Sequence, residues 1–266
     1  MKRIYKSLTP NSLTAYAQQN PTADWDNGFR SSNGGNDYKA VRALMVDEQG
    51  GLCAYCETEI KNLPEHHKQV EHYHDKSQGI AANGHNWALD WNNVFAVCPG
   101  GSRIDEEEKR NYPLPDNLSC DAHKNHLKLK SNVYVPPEGR VLNPLDMVAS
   151  PCLFSLNRAN GELMPNVENC ARVEITYNMH ATVQELVEHT IKVFNLNCAR
   201  LTAQRVQYVY ARERAVKVAR NLNNPAALDS LVSQWFSNRW PAFFTTRRIL
   251  LGEQAERYLS SMQYVG

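Results

Sequence analysis

No stretch of the 266 residues approaches the roughly 18 uninterrupted apolar side chains that a membrane helix needs. The opening MKRIYKSLTPNSL is positive at its start but has no apolar run behind it. No secretory leader is read there, and the cytoplasm is the expected compartment. Charge of one sign is missing as well. The 29 Lys+Arg stand against 28 Asp+Glu, a net +1, which gives no global electrostatic case for binding a polyanion or a membrane. With 13 Gly and 13 Pro the chain is neither collagen-like nor low in complexity. Its 42% hydrophobic content suits one large domain or two small ones. Cysteine is not scarce. Seven residues, an odd number, point in a reducing compartment to metal ligands or buried thiols rather than disulfides.

Charge is unevenly distributed. Residues 1–180 hold 18 basic and 22 acidic side chains, a balance of −4; residues 181–266 hold 11 and 6, a balance of +5. Before residue 180, His, Asn, Gly, Pro and Cys mark loops and short elements. After it, apolar residues recur at helical spacing. The pattern predicts helices over 12–19 and 37–49, short strands over 70–74 and 94–98, and a helix over 121–130 with Cys120 at its mouth. Short β-like runs are expected at 133–135 and 173–177. Four helices should follow, over 182–196, from 198 or 200 to 222, over 226–236 and over 243–262. The fold class expected is α+β.

Four pieces of chain carry chemistry. Cys53-Ala-Tyr-Cys56 places two thiolates on a tight knuckle, within reach of one tetrahedral zinc. Its position after a helix and before a polar loop is the reverse of a thioredoxin-like redox pair. Cys98 and Cys120 are best placed to close the site, while Cys152, Cys170 and Cys198 read as core thiols. Glu71-His72 on a strand pairs a carboxylate suited to a hard divalent cation with an imidazole able to take a proton from water. Asn93, just ahead of an apolar strand, can fix a loop by bonding backbone or the imidazole of His72. In Cys120-Asp121-Ala-His123-Lys124, a carboxylate in the first helical turn can complete a cation site facing Glu71, and Lys124 can meet a phosphate. Arg103, Lys109, Arg110, Lys128 and Lys130 flank the same region.

Taken in order, these motifs resemble the HNH nuclease family, whose ββα-metal core often carries an added four-cysteine zinc knuckle. Thr9-Pro10-Asn11-Ser12-Leu13-Thr14, Gln49 to Cys56, Val70-Glu-His-Tyr73 with Lys76-Ser77, and Cys98-Pro-Gly-Gly-Ser102 look like the PtuB group. That group comprises the HNH partners of Septu and retron-linked anti-phage systems. The resemblance covers residues 1–130 and implies a nuclease core there, with an irregular or β connecting region over 131–180 and a helical region over 181–266. It implies His72 as general base and Asn93 as the middle, structural member. Glu71 and Asp121 would hold Mg²⁺ or Mn²⁺, with His123 the alternative to Asp121. Cys53, Cys56, Cys98 and Cys120 would hold structural zinc, and Lys124 and Lys128 would contact nucleic acid.

The same resemblance implies an ABC-type PtuA-like ATPase as partner and, in retron-linked cases, a reverse transcriptase with its RNA and DNA product. The substrate would be DNA or RNA. A zinc-knuckle binding module without catalysis would keep the cysteines but needs none of Glu71, His72, Asn93 or Asp121. The remaining histidines of the region (His66, His67, His74, His85, His126) read as surface or supporting residues, and Trp87 and Trp91 as covers over the strand. Arg200, Arg205, Arg212, Arg214 and Arg220 are candidates for a partner-docking face.

Overall fold

The structure, a computed structural model, describes residues 1–131, 135–223, 226–237 and 240–264. The fold is mixed α and β, with two sheets of two strands each among the described residues. No helix there is long and apolar enough to cross a membrane. Helix α1 (Ser12–Gln19) starts where it does because Asn11 Oδ1 accepts from the backbone of Leu13 and Thr14, and the Thr14 hydroxyl accepts from the Asn11 N–H. Helix α2 (Asn36–Glu48) buries Val41, Met45 and Val46. Just beyond it, the buried Gln49 amide donates to Leu52 O at 2.8 Å and Ala96 O at 2.7 Å, and accepts from Ala96 N at 2.8 Å. One side chain thus ties the helix end, the cysteine loop and the central strand together.

Strand β1 (Gln69–His72) pairs antiparallel with β2 (Val94–Val97), with Glu71 opposite Phe95 and His72 opposite Val94. Every residue of β2 is buried, so the strand passes through the main core. Helix α3 (Glu106–Asn111) precedes α4 (Cys120–Ser131). A second hairpin, β3 (Phe154–Leu156) with β4 (Leu163–Pro165), leads into α5 (Val167–Ala171) and α6 (Val183–Val193). The long α7 (Ala199–Asn221) is followed by α8 (Ala227–Trp235), α9 (Phe244–Leu251) and α10 (Glu253–Ser261). The main core runs from Met1 to Leu201 and takes in Phe243; a second cluster joins Leu52 and Val209 to the last three helices.

Several expectations are corrected. No helix was expected over 106–111, where the acidic run 105–108 opens α3. Asp105 caps α3 by accepting from Glu108 N, and three glutamates fill the helix's first turn, where its dipole favours them. Residues 173–177 form no strand: they find no partner edge, and an unpaired strand is not stable. The run expected at 133–135 falls largely outside the described residues. The last predicted helix is broken at Gly252, whose φ of 55° is left-handed, leaving α9 and α10. The β3–β4 hairpin was not anticipated, because three-residue strands carry almost no periodicity.

Candidate active site and metal centre

The four predicted cysteines converge. Their sulfurs lie within 4.8 Å of one another, all four side chains are buried, and they form the one His/Cys/Asp/Glu cluster of metal-binding geometry among the described residues. Cys53–Cys120, Cys56–Cys98 and Cys98–Cys120 are 3.7, 3.6 and 3.8 Å apart. A tetrahedral zinc with Zn–S bonds of about 2.3 Å needs sulfur separations of roughly 3.8 Å, so the donor set fits this ion. Contacts with Cys120, Cys53 and Cys98 pull the Cys56 thiol well below its ordinary pKa, against the effect of burial. Gly100 N donates to Cys98 Sγ at 3.4 Å. A side chain at Gly100 would put its Cβ 2.1 Å from Ser119 O, and its φ of 61° is left-handed; only glycine suits this position. Cys120 itself holds φ 55° at the head of α4, where its N–H donates to Phe194 O at 2.8 Å. The strained residue is therefore clamped between the knuckle and α6.

The second half of the site lies one helical turn on. Glu71, 5% exposed, points from β1 toward α4. Lys124 Nζ donates to the Glu71 carboxylate and to His72 O at 3.1 Å, and lies 4.0 Å from Asp121 Oδ1. Two carboxylates thus share a single ammonium. Burial pushes the Glu71 carboxyl well above its usual range, and the neighbouring Asp121 carboxylate adds to this; Lys124 opposes both. Burial works to discharge Lys124, but Glu71 and Asp121 outweigh it and hold it charged. The wholly buried Tyr55 hydroxyl has no hydrogen-bond partner among the described residues and feels both carboxylates. Two carboxylates gathered around one cation are the hard-donor chemistry that suits Mg²⁺ or Mn²⁺.

His72, 6% exposed, sends its ring to the other side of the strand, as alternation requires. There it meets the Trp25 ring edge-on at 4.5 Å. Its Nε2 lies 3.1 Å from Ala88 O, and a carbonyl only accepts, so Nε2 carries the proton and Nδ1 keeps its lone pair. Burial lowers its pKa to about 4. The Asn93 side chain bonds backbone and not the imidazole: Oδ1 accepts from His74 N at 2.7 Å, and Nδ2 donates to His74 O at 2.9 Å and Trp87 O at 2.7 Å. It fixes the turn that follows Glu71-His72. Between the two alternatives at the head of α4, Asp121 faces Glu71, whereas His123 turns away to Val193 O at 2.8 Å. Lys128 pairs with Asp75. Trp87 stacks on His74 at 4.3 Å, and His74 pairs with Glu138 at 2.6 Å.

Two of the arginines proposed for an exterior face lie inside. Arg205 is 1% exposed and bonds Gly161 O at 3.3 Å; Arg200, 7% exposed, bonds Ser119 Oγ at 2.8 Å. No carboxylate pairs with either among the described residues. Burial works against the Arg200 charge, while Cys98, Cys198, Cys56 and Cys120 favour it and prevail. Sequence reading missed this role because both arginines sit on a helix whose exposed face is also arginine-rich. The signal available was their place on the stripe of Leu201 and Val209.

No family model matches the chain. A curated protein of Escherichia coli, named "Retron Ec83 putative HNH endonuclease", is 34% identical over 252 residues, covering 94% of each chain. Identity of that extent over nearly the whole length spans the knuckle, the strand pair and the C-terminal helices together. The chain belongs to the HNH endonuclease family that this retron protein represents.

Proposed function

We propose that β1, β2 and α4 form the ββα-metal core of the enzyme and that it hydrolyses phosphodiester bonds of nucleic acid at Glu71, His72 and Asp121. The observation that carries this reading is the meeting of Glu71 and Asp121, from a strand and a helix 50 positions apart, around one cationic group. Glu71 and Asp121 would hold Mg²⁺ or Mn²⁺, which when bound supplies Lewis acidity to the phosphoryl oxygens. His72 would take the proton of the attacking water at Nδ1 once its ring, which lies on the Trp25 and Ala88 side of β1, turns toward the carboxylates. Asn93 positions the turn, and Lys124 and Lys128 contact the substrate backbone. Cys53, Cys56, Cys98 and Cys120 hold zinc, which pins the head of α4.

The relative's retron name supports a retron-linked nuclease. The resemblance of the motifs to the PtuB group extends this reading to an anti-phage effector, with a PtuA-like ATPase as partner and the reverse transcriptase with its RNA and DNA as a further one. The balance of −4 over residues 1–180 supports the need for a partner, because it is poor for gripping a polyanion unaided. The test incubates wild type, His72→Ala and Glu71→Gln with phage DNA, plasmid and tRNA plus Mg²⁺ or Mn²⁺, with and without the ATPase. Loss of cleavage in both variants is expected. Cleavage by His72→Ala equal to wild type would reject His72 as the base.

A further inference from the structure

Lys124 stands where a cation is wanted. Its ammonium touches Glu71, lies 4.0 Å from Asp121 Oδ1 and donates to His72 O at 3.1 Å, with its side chain 21% exposed. While bound to both carboxylates, Lys124 has little charge left for a substrate phosphate; it can meet one only after leaving them. The same side chain lines a cavity of about 580 Å³, together with Asp75, Leu127, Lys128, Lys130 and Arg140. The ammonium therefore has somewhere to go. Among the described residues the walls are largely apolar, with Leu127, Val135, Pro137 and Val193, but carry three further cations against the single acid Asp75, itself paired with Lys128. An anionic backbone in that cavity would draw Lys124 away from the carboxylates.

We propose that Lys124 is a built-in counter-ion that occupies the cation position between Glu71 and Asp121, and that a divalent ion binds there only as Lys124 swings into the adjoining cavity. This rests on the cation-site reading given under the proposed function. Metal and nucleic acid then assist each other, because each favours the outward position of one side chain. The site stays neutralised and idle until both arrive.

The test measures Mn²⁺ binding to the zinc-loaded protein by calorimetry, using wild type, Lys124→Met, Lys124→Gln, Glu71→Gln and Asp121→Asn, each checked for folding by circular dichroism. Removing the competing charge should tighten Mn²⁺ binding by about tenfold or more in both Lys124 variants, since separating a partly buried charge pair is costly. Glu71→Gln and Asp121→Asn should lose Mn²⁺ binding. A second measurement needs no variant: acetylation of the wild-type Lys124 amine, followed by mass spectrometry, should be slow without Mn²⁺ and several-fold faster with it. Lys124 variants that bind Mn²⁺ no tighter than wild type, or labelling indifferent to Mn²⁺, overturn the counter-ion. Should Glu71→Gln and Asp121→Asn bind Mn²⁺ like wild type, the cation site itself falls.

Discussion

At the scale of the residue, the sharpest consequence concerns His72. As the proposed base it must be neutral, and burial lowers its pKa from 6.5 to about 4. Activity should therefore hold level from about pH 7 down to about pH 5 as far as this group is concerned, and fall only toward its own pKa. A pH profile of kcat/KM whose acid limb centres near 6.5, and vanishes in His72→Ala, would show an imidazole that ionises as it does in water. Truncation to Ala should cost on the order of 10²–10⁴ in rate. Stability follows the same shift. Below about pH 6.5 the unfolded chain takes up a proton that the folded chain refuses, so the contribution is present above that pH and lost as pH falls toward 4. Gly100 offers a second residue-level test. Gly100→Ala combines a left-handed φ with a clash against Ser119 O and should destabilise by about 1–3 kcal/mol in denaturant melts, with weaker zinc retention.

At the scale of the element, the knuckle and α4 act as one device. Cys120 is both the fourth sulfur and the first residue of the helix that carries Asp121 and Lys124. Zinc removal should loosen the head of α4 and, through the Cys120 N–H to Phe194 O bond, the end of α6. Cys120→Ser should lower zinc stoichiometry below one per chain and raise amide exchange over 120–131 and 190–196; exchange unchanged in both segments would separate the knuckle from the cation site. This coupling also shows what was legible in the sequence. Cys53 and Cys56, or Glu71 and His72, lie within a few residues of each other, and local spacing carries their chemistry. The α1 boundaries were readable because Asn11 and Thr14 satisfy one another locally. The left-handed backbone of Cys120, the turning of Asp121 toward Glu71 and of His123 toward Val193, and the burial of Arg200 and Arg205 depend on contacts far along the chain. No periodicity records those contacts.

At the scale of the whole molecule, the question is how a chain of net charge +1 handles a polyanion. Four cations near the site are already engaged, Lys124 with Glu71, Lys128 with Asp75, Lys109 with Glu106 and Lys76 with Asp26, while Lys130 and Arg110 are exposed beside it. Each phosphate contact through one of them opens an internal pair, so part of the counter-ion release that normally drives binding is cancelled. Further exposed cations, Arg214 and Lys217, lie on α7, beyond the core that holds the site. The isolated protein should thus bind DNA or RNA weakly, with a plot of log K against log salt no steeper than about −2, or about two phosphates at roughly −0.9 each. If the proposed ATPase partner supplies the missing basic surface, its addition should steepen that slope. A slope near −5 for the isolated chain would mean that these pairs open at little cost, and the case for a partner that holds the substrate would lose its physical basis.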